Sequence, residues 1–205
     1  MTSNSNEILQ RPSTVNDSYH TCINSSILRV AFTGHRPAYV LGRSPAELAR
    51  CRPEINRVLQ AFLAQAMTEG KRLEFACSAA SGSDIEALEV AEKLGIRVHI
   101  VLPLTMEDFA KDFVGLHSPY WLRAERLIIQ STLDNNDWEL TVLSGTERPS
   151  CYAQCNKELL HRTDAVIALW NEQPSDNSGS IAQMVLTAKR LGIDVIVVNP
   201  VNVSN

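Results

Sequence analysis

The sequence Val30-Ala31-Phe32-Thr33-Gly34-His35-Arg36-Pro37 brings an apolar run that begins at Ile27 to an abrupt polar end. Short runs of β-branched and aromatic residues that close on glycine and proline are typical of a buried strand leaving a sheet. A glycine at that exit lets backbone N–H groups approach a ligand closely, and His35 and Arg36 add side-chain donors beside it. The segment therefore predicts either the phosphate-binding edge of a nucleotide pocket or a tight turn that carries an exposed basic pair.

After this segment, the apolar pattern alternates between strand and helix. Strands are predicted at 27–33, 73–77, 96–102, 139–143, 165–170 and 194–198, and helices at 53–69, 84–94, 119–130, 151–161 and 179–191. The residues between the first strand and the first helix are predicted to form a long loop. Strands that alternate with helices form right-handed crossovers and a parallel sheet. The expected fold class is therefore α/β, a Rossmann-like open, mostly parallel sheet of about six strands with helices on both faces.

Composition and charge narrow the class of protein. The chain has 205 residues, of which 44% are hydrophobic and 20% charged, with a net charge of −4 and a pI near 5.7. These values predict a single domain over 27–205, and they argue against a nucleic-acid partner, because proteins that coat nucleic acid are usually basic. Residues 1–26 are rich in Ser, Asn and Thr, and they are predicted to form a flexible leader.

The sequence lacks the patterns expected of a membrane span, a secretion signal or a metal site. No apolar stretch approaches the length of a membrane span, and the N-terminus lacks a charged-then-apolar signal pattern, so a cytoplasmic protein without a membrane partner is expected. The five cysteines include no Cys-x-x-Cys pair. Cys151 and Cys155 fall four residues apart, but no His or Cys set completes a metal site. Reduced thiols, no metal and no cofactor are therefore expected.

Three loops with small residues are predicted at the carboxyl ends of strands, the edge at which open α/β sheets bind ligands. The loops span 33–36, 78–83 and 177–180. The last two open helices, whose N–H groups and dipole favour an anion, and small side chains let a phosphate approach the backbone. The alternative is ordinary helix capping by Ser83 or Ser180. The candidate ligand-binding residues in these loops are Thr33, Gly34, His35, Arg36, Ser78, Ala79, Gly82, Ser83, Gly179 and Ser180.

Two carboxylates and one indole are further candidates. Asp84 and Glu86 begin a predicted helix, where a carboxylate either caps the helix or accepts hydrogen bonds from ribose hydroxyls. Glu86 with Glu89 and Glu92 is typical of a solvated helix face. Trp170 ends a strand at the ligand edge, where an indole either stacks on a base or packs in the core. The sequence contains no Ser-His-Asp spacing, nucleophile elbow or complete Walker loop.

Taken together, these motifs resemble the SLOG superfamily from Ile27 to Val198. The superfamily includes YpsA-like proteins, the Lonely-guy phosphoribohydrolases and the Rossmann-like part of the DNA-processing protein that loads recombinase. The Gly-His-Arg-Pro opening is most similar to the YpsA-like branch and to sensor domains of bacterial anti-phage and nucleotide-signalling systems. The resemblance rests on residues 32–37, on 81–84 and 98–103, on Asn156 followed by 164–170, and on the pair Gly179-Ser180.

The resemblance implies a fold that binds nucleotides or their derivatives, and it favours a homodimer or larger assembly. Some members cleave the N-glycosidic bond of a nucleoside monophosphate, whereas others only bind a nucleotide messenger and change assembly state. The hydrolase motif reads Pro-Gly-Gly-x-Gly-Thr-x-x-Glu; here Gly179 and Ser180 match Gly-Thr, the residues 176–178 depart from the motif, and Gln183 replaces the glutamate. Gln183 is thus a further ligand-binding candidate, but a neutral amide does not stabilise developing oxocarbenium charge as a carboxylate does.

Three hypotheses about function follow. The first is a nucleotide-binding sensor or regulatory module in which His35 and Arg36 contact a phosphate and Trp170 packs against the base. The second is an enzyme, a nucleotide N-glycoside hydrolase with Asp84 or Glu86 as the acid/base. The third is a DNA-associated, recombination-type protein, which the acidic charge and the lack of a basic stripe argue against.

Overall fold

A computed structural model describes residues 26–40, 42–133, 137–145, 147–161, 163–175 and 179–203. The leader predicted at 1–26 lies outside the described residues except for Ser26. Residues 176–178 also lie outside them, and 177 and 178 belong to the third predicted loop. In the described ranges, none of the helices combines the length and the apolar character needed to cross a membrane.

Six strands alternate with helices along the described residues, as predicted. The strands are β1 (Ile27–Gly34), β2 (Arg72–Cys77), β3 (Arg97–Leu102), β4 (Glu139–Val142), β5 (Ala165–Leu169) and β6 (Asp194–Val198). The helices are α1 (Pro45–Arg50), α2 (Arg52–Thr68), α3 (Ser83–Lys93), α4 (Met106–Ala110), α5 (Trp121–Gln130), α6 (Arg148–Leu160) and α7 (Ile181–Arg190), and a 3-10 helix spans Gly115–Tyr120.

The strands form one parallel sheet in the order β4-β3-β2-β1-β5-β6, which confirms the predicted fold class. The chain builds outward from β1 to β4 and then crosses back to place β5 on the other side of β1. The strand order therefore reverses between β1 and β5. In open α/β sheets, a crevice opens beyond the carboxyl ends of the strands at this reversal.

Helices cover both faces of the sheet, and β1 is buried between them. Val30 and Phe32 point into the larger core, which α2, α3 and α5 cover, whereas Ala31 points into the smaller core beneath α6 and α7. The ring centroids of Phe32 and Phe75 lie 5.9 Å apart in the larger core. Burying a side chain of this size contributes about 1.5–3 kcal/mol. Burial on both faces explains why β1 is a nearly continuous apolar run.

Helix α1 replaces part of the loop predicted before residue 53, so that prediction is wrong. Ser44 caps the helix: its hydroxyl accepts from the Glu47 backbone nitrogen, and the Glu47 carboxylate accepts from the Ser44 backbone nitrogen. This reciprocal pair is the capping box, and the spacing Ser-x-x-Glu is visible in the sequence. The helix buries Leu48 against the start of α3.

The carboxylates of α3 do not form a solvated face, which corrects a second prediction. Glu86 is 1% exposed, and its carboxylate accepts from Arg52 and Arg123. The reason is tertiary, because α5 lies beside α3 and supplies arginines from more than thirty residues away. We call this group the helix ion cluster, and its members are Arg52, Glu86, Glu89, Glu92, Arg123 and Arg126.

Candidate functional site

A cavity of about 940 Å³ opens beyond the carboxyl ends of β1, β2 and β5, where the strand order reverses. This volume falls in the range of small-molecule and cofactor sites. We call it the switch-point cavity. It is lined by nine of the predicted ligand-binding residues, namely Thr33, Gly34, His35, Arg36, Ser78, Asp84, Trp170, Gly179 and Ser180.

Four predicted ligand-binding residues do not line the cavity. Ala79 is fully buried beneath it with a positive φ of 54°, and the side chain of Gln183 lies elsewhere on α7. Gly82 and Ser83 instead join α3 to the exit of β1. The backbone nitrogen and hydroxyl of Ser83 both donate to the carbonyl oxygen of His35, at 3.1 and 2.9 Å. These two residues are therefore part of the framework of the site.

Helix capping was the alternative for two loop serines, and the structure separates them. Ser180 caps α7, because its hydroxyl accepts from the Gln183 backbone nitrogen at 3.3 Å. Ser83 is not a cap, since Gly82 stands at that position with a φ of 100°. A Cβ on Gly82 would lie 2.7 Å from the His35 carbonyl oxygen.

The glycine at the exit of β1 is needed for packing. A Cβ on Gly34 would lie 2.1 Å from the hydroxyl oxygen of Ser83 and 3.1 Å from the Cβ of Leu169. The Cβ of Ser83 would also lie only 2.9 Å away, so β1 would have to shift relative to α3 to accept alanine. The sequence pattern predicted the glycine as a way to admit a ligand, but its closest approach is to α3 and β5.

His35 links the loops around the cavity instead of offering a positive charge. Its side chain is 7% exposed, and Nε2 lies 3.0 Å from Asn171 Oδ1 and 3.1 Å from the Asn171 backbone nitrogen. Nε2 thus contacts both an N–H donor and a carbonyl acceptor of the same residue, and Asn171 holds the ring in place. Burial and the nearby Arg43 guanidinium lower the pKa of His35 to about 4. The imidazole is therefore neutral at pH 7.

Three arginines line the cavity within the described part of the chain, and only Arg36 of them was predicted. Arg43 follows the exit of β1 and donates to the Arg36 carbonyl oxygen from Nε at 3.2 Å and from Nη2 at 3.1 Å. Arg148 is the first residue of α6. A helix that follows a strand starts at the carboxyl edge of the sheet, so the topology would have placed Arg148 here had the start of α6 been predicted correctly.

Asp84 is the only carboxylate among the described residues that line the cavity. Its Oδ2 atom accepts from the Ser78 hydroxyl at 2.7 Å and from the Ala80 backbone nitrogen at 3.2 Å, so it shapes the second loop. Burial raises the pKa of Asp84 to about 6, although these hydrogen bonds and the charge of Arg36 oppose the rise. The carboxyl thus exchanges a proton close to neutral pH.

Helices α6 and α7 and the end of β5 complete the wall. Tyr152 and Asn156 project from one face of α6, and Trp170 follows β5 with its Nε1 donating to the Gln173 carbonyl oxygen at 3.0 Å. A Cβ on Gly179 would lie 2.8 Å from the Cβ of Tyr152, so the start of α7 packs tightly against α6. Two aromatic rings and a helix N-terminus therefore face one space.

The chemistry open to this cavity is narrow. Burial raises the pKa of the Cys155 thiol, which leaves it protonated and a poor nucleophile. Nε2 of His35 is occupied by Asn171, so this nitrogen is not placed as a base. The described residues hold no group of three or more His, Cys, Asp or Glu side chains arranged for a metal ion. Anion binding and proton exchange at Asp84 are what the described lining supports.

Comparison with solved structures gives a similarity at low sequence identity. No protein-family model and no curated protein matches the sequence. The crystal structure of DNA processing protein A (DprA) from Streptococcus pneumoniae is similar at a TM-score of 0.49 and 14% identity, over 85% of this chain and 51% of that one. This chain thus spans about half the length of that protein. The expectation of no nucleic-acid partner gains no support from the comparison and stays a prediction.

Proposed function

We propose that the protein binds a phosphorylated nucleotide or nucleotide derivative in the switch-point cavity and acts as a sensor or regulatory module of the SLOG type. A homo-oligomer, a cytoplasmic location and a role in bacterial defence or nucleotide signalling belong to the same proposal. The observation that carries it is the convergence of Arg36, Arg43 and Arg148 on a ligand-sized cavity.

The lining of the cavity is positively charged, although the chain as a whole has a negative net charge. The protein has a net charge of −4, yet the described lining holds three guanidinium groups and one carboxylate whose pKa is raised to about 6. Guanidinium groups bind phosphate through paired, charge-assisted hydrogen bonds. The N-terminus of α7 adds backbone N–H groups and the positive end of its dipole. An acidic protein that concentrates arginines in one cavity is suited to an anionic ligand.

The rest of the lining suits the other parts of a nucleotide. Tyr152 and Trp170 offer aromatic surface for a base, and Asn156 and Asn171 offer amide groups to a sugar or a base edge. The ten-residue helix α7 places Ser180 and Gly179 beside them. A ligand with both an anionic and an aromatic end uses more of this surface than inorganic phosphate does.

Binding without hydrolysis is favoured by the side chains present. Gln183, which replaces the hydrolase glutamate, has no side-chain atoms in the cavity lining. Glu86, one of the two candidate acids, is held by Arg52 and Arg123 in the helix ion cluster and does not line the cavity. Asp84 is thus the remaining candidate for acid/base chemistry.

The test is calorimetric and thermal titration of the whole chain with AMP, 3′,5′-cyclic AMP, NAD and ADP-ribose. A ligand at about a hundred times its Kd stabilises the fold by about 2.7 kcal/mol. We expect Arg36→Ala and Arg148→Ala each to weaken binding by about tenfold or more, because each removes a charged donor. The matched control is Arg126→Ala, which removes the same charge outside the cavity and should bind as the wild type does. Absence of binding by all four ligands would overturn the proposal.

A second candidate function is nucleotide N-glycoside hydrolysis with Asp84 as the acid/base. The observation that favours it is a buried carboxyl in the cavity whose pKa is raised to about 6, as a general acid requires. Release of free base from AMP, followed by chromatography, tests this reaction. Hydrolysis that is lost in Asp84→Asn but kept in Glu86→Gln would establish the enzyme, and stable binding without base release would leave the sensor.

A further inference from the structure

One carboxylate that does not line the cavity touches three side chains that do. Asp112 follows α4 and is 15% exposed at its side chain. Its Oδ1 atom accepts from Nη1 of Arg148, its Oδ2 atom accepts from the hydroxyl of Tyr152, and Nη2 of Arg36 lies 3.6 Å from Oδ2. Asp112 therefore sits behind the cavity wall at the meeting point of two arginines and a tyrosine.

Each of these arginines has a second contact that restricts its side chain. Nη2 of Arg148 donates to the Asp108 carbonyl oxygen at 2.8 Å, and the Arg36 guanidinium lies over the Tyr152 ring, 4.8 Å from its centroid. A guanidinium group has five N–H donors, so donors remain on both groups for a ligand. Long arginine side chains otherwise lose much rotamer freedom when they bind.

We infer that Asp112 is a positioning residue, which holds Arg36 and Arg148 side by side so that both guanidinium groups face one anionic ligand. This inference rests on the proposed function of the cavity. Two guanidinium groups on one wall repel each other, and the carboxylate between them offsets that repulsion. Without it, at least one of the arginines turns to solvent and the site loses a donor before any ligand arrives.

The opposite effect would follow if Asp112 acted only through its charge. A carboxylate near an anion site repels the ligand and competes for the same donors, so its removal would strengthen binding. Positioning predicts weaker binding on removal of the same charge. The sign of the change in affinity therefore separates the two accounts.

The experiment is titration of the whole chain with AMP, and with inorganic pyrophosphate as a probe that has no base. We expect Asp112→Asn to weaken binding of both by about tenfold, as for loss of a charged donor. Asp108→Asn is the matched control: it removes an exposed carboxylate from the adjacent helix α4 while keeping the carbonyl oxygen that Arg148 uses. That control should bind within about twofold of the wild type, or slightly more tightly.

Two further variants keep the inference testable if Asp112→Asn folds poorly. Tyr152→Phe keeps the ring beneath Arg36 and removes only the hydroxyl that contacts Asp112, and it should weaken AMP binding by about threefold. In an Arg148→Ala background, Asp112→Asn should add less than about threefold, because part of what it positions is already gone. Fully multiplicative losses, or tighter binding by Asp112→Asn, would overturn the inference. Failure of the wild type to bind any probe would overturn the proposed function and this inference together.

Discussion

Two groups of arginines among the described residues differ in how far neighbouring carboxylates balance their positive charge. In the helix ion cluster, three arginines meet three glutamates between α2, α3 and α5. In the switch-point cavity, the carboxylate of Asp112 behind the wall contacts Arg36 and Arg148, while Arg43 and the buried Asp84 also line the space. The first group is balanced by its own neighbours, whereas the second keeps donors free on one open space.

The first turn of α3 shows the same contrast at the scale of two side chains. Asp84 and Glu86 are both buried, but Asp84 faces the cavity and Glu86 faces two arginines. Burial raises the pKa of Asp84 to about 6, against the opposing effect of its hydrogen bonds to Ser78 and Ala80 and of the Arg36 charge. A carboxylate matched by guanidinium groups stabilises the fold, while one left near a cavity is available for proton exchange.

Within the helix ion cluster, Glu86→Gln is expected to cause the largest loss in the free energy of unfolding. The change removes the more deeply buried of the two carboxylates that Arg52 and Arg123 share, at 1% exposed, and leaves Glu89 as the other. Removing one partner of a buried pair costs about 3–5 kcal/mol, and because the arginines are partly exposed we expect about 3 kcal/mol. Urea unfolding measures this loss. Affinity for AMP should be unchanged, so a loss of binding in a folded Glu86→Gln protein would contradict the separation of the two groups.

Much of the sheet was predictable, because burial on both faces makes β1 and β5 stand out as apolar runs. The same reasoning missed α1, although Ser44 and Glu47 carried its capping signal. The environment of Glu86 was not predictable from local pattern, because its partner Arg123 comes from a helix thirty-seven residues later.

Within the candidate site, sequence reasoning found the loops but missed Arg43 and Arg148. Thr33, Arg36 and Trp170 line the cavity because they lie at the carboxyl ends of strands. Arg43 reaches the cavity from an irregular segment, and its place there depends on bonds to the Arg36 carbonyl oxygen. Contacts of that kind are fixed by tertiary packing and leave no periodic signal in the sequence.

An intermediate change in the free energy of unfolding is expected from Asp84→Asn, and its size depends on pH. The pKa of Asp84 rises from 3.8 to about 6 on folding, so the folded protein holds this proton more tightly and loses stability as the pH rises through that range. Asparagine keeps an oxygen for Ser78 and Ala80 and has no charge to bury. We expect the variant to exceed the wild type by about 2 kcal/mol in free energy of unfolding at pH 8, and to equal it near pH 4.

The pH dependence of the free energy of unfolding also distinguishes Asp84 from His35, because folding raises the pKa of Asp84 and lowers that of His35. The pKa of His35 falls from 6.5 to about 4, so the unfolded chain binds more protons there and stability rises with pH across that range. In the wild type the two slopes oppose each other between about pH 4 and 6. Asp84→Asn should therefore show a free energy of unfolding that increases steadily with pH from 4 to 6.5. A flat profile in this variant would contradict the lowered pKa of His35.

The smallest effect is expected at the exposed edge of the helix ion cluster, from Arg126→Gln. Its pair with Glu92 is 48% and 27% exposed at the two side chains, compared with 30% and 1% for Arg123 and Glu86. Exposed pairs contribute about 0–1 kcal/mol, and salt screens them, so we expect a loss of about 0.5 kcal/mol that disappears in 1 M NaCl. Urea unfolding at low and high salt measures it, with Glu86→Gln as the salt-insensitive reference. A large loss that persists in high salt would mean that the cluster acts as one buried unit, whereas a small, screened loss restricts its stabilising effect to Glu86 and the two arginines around it.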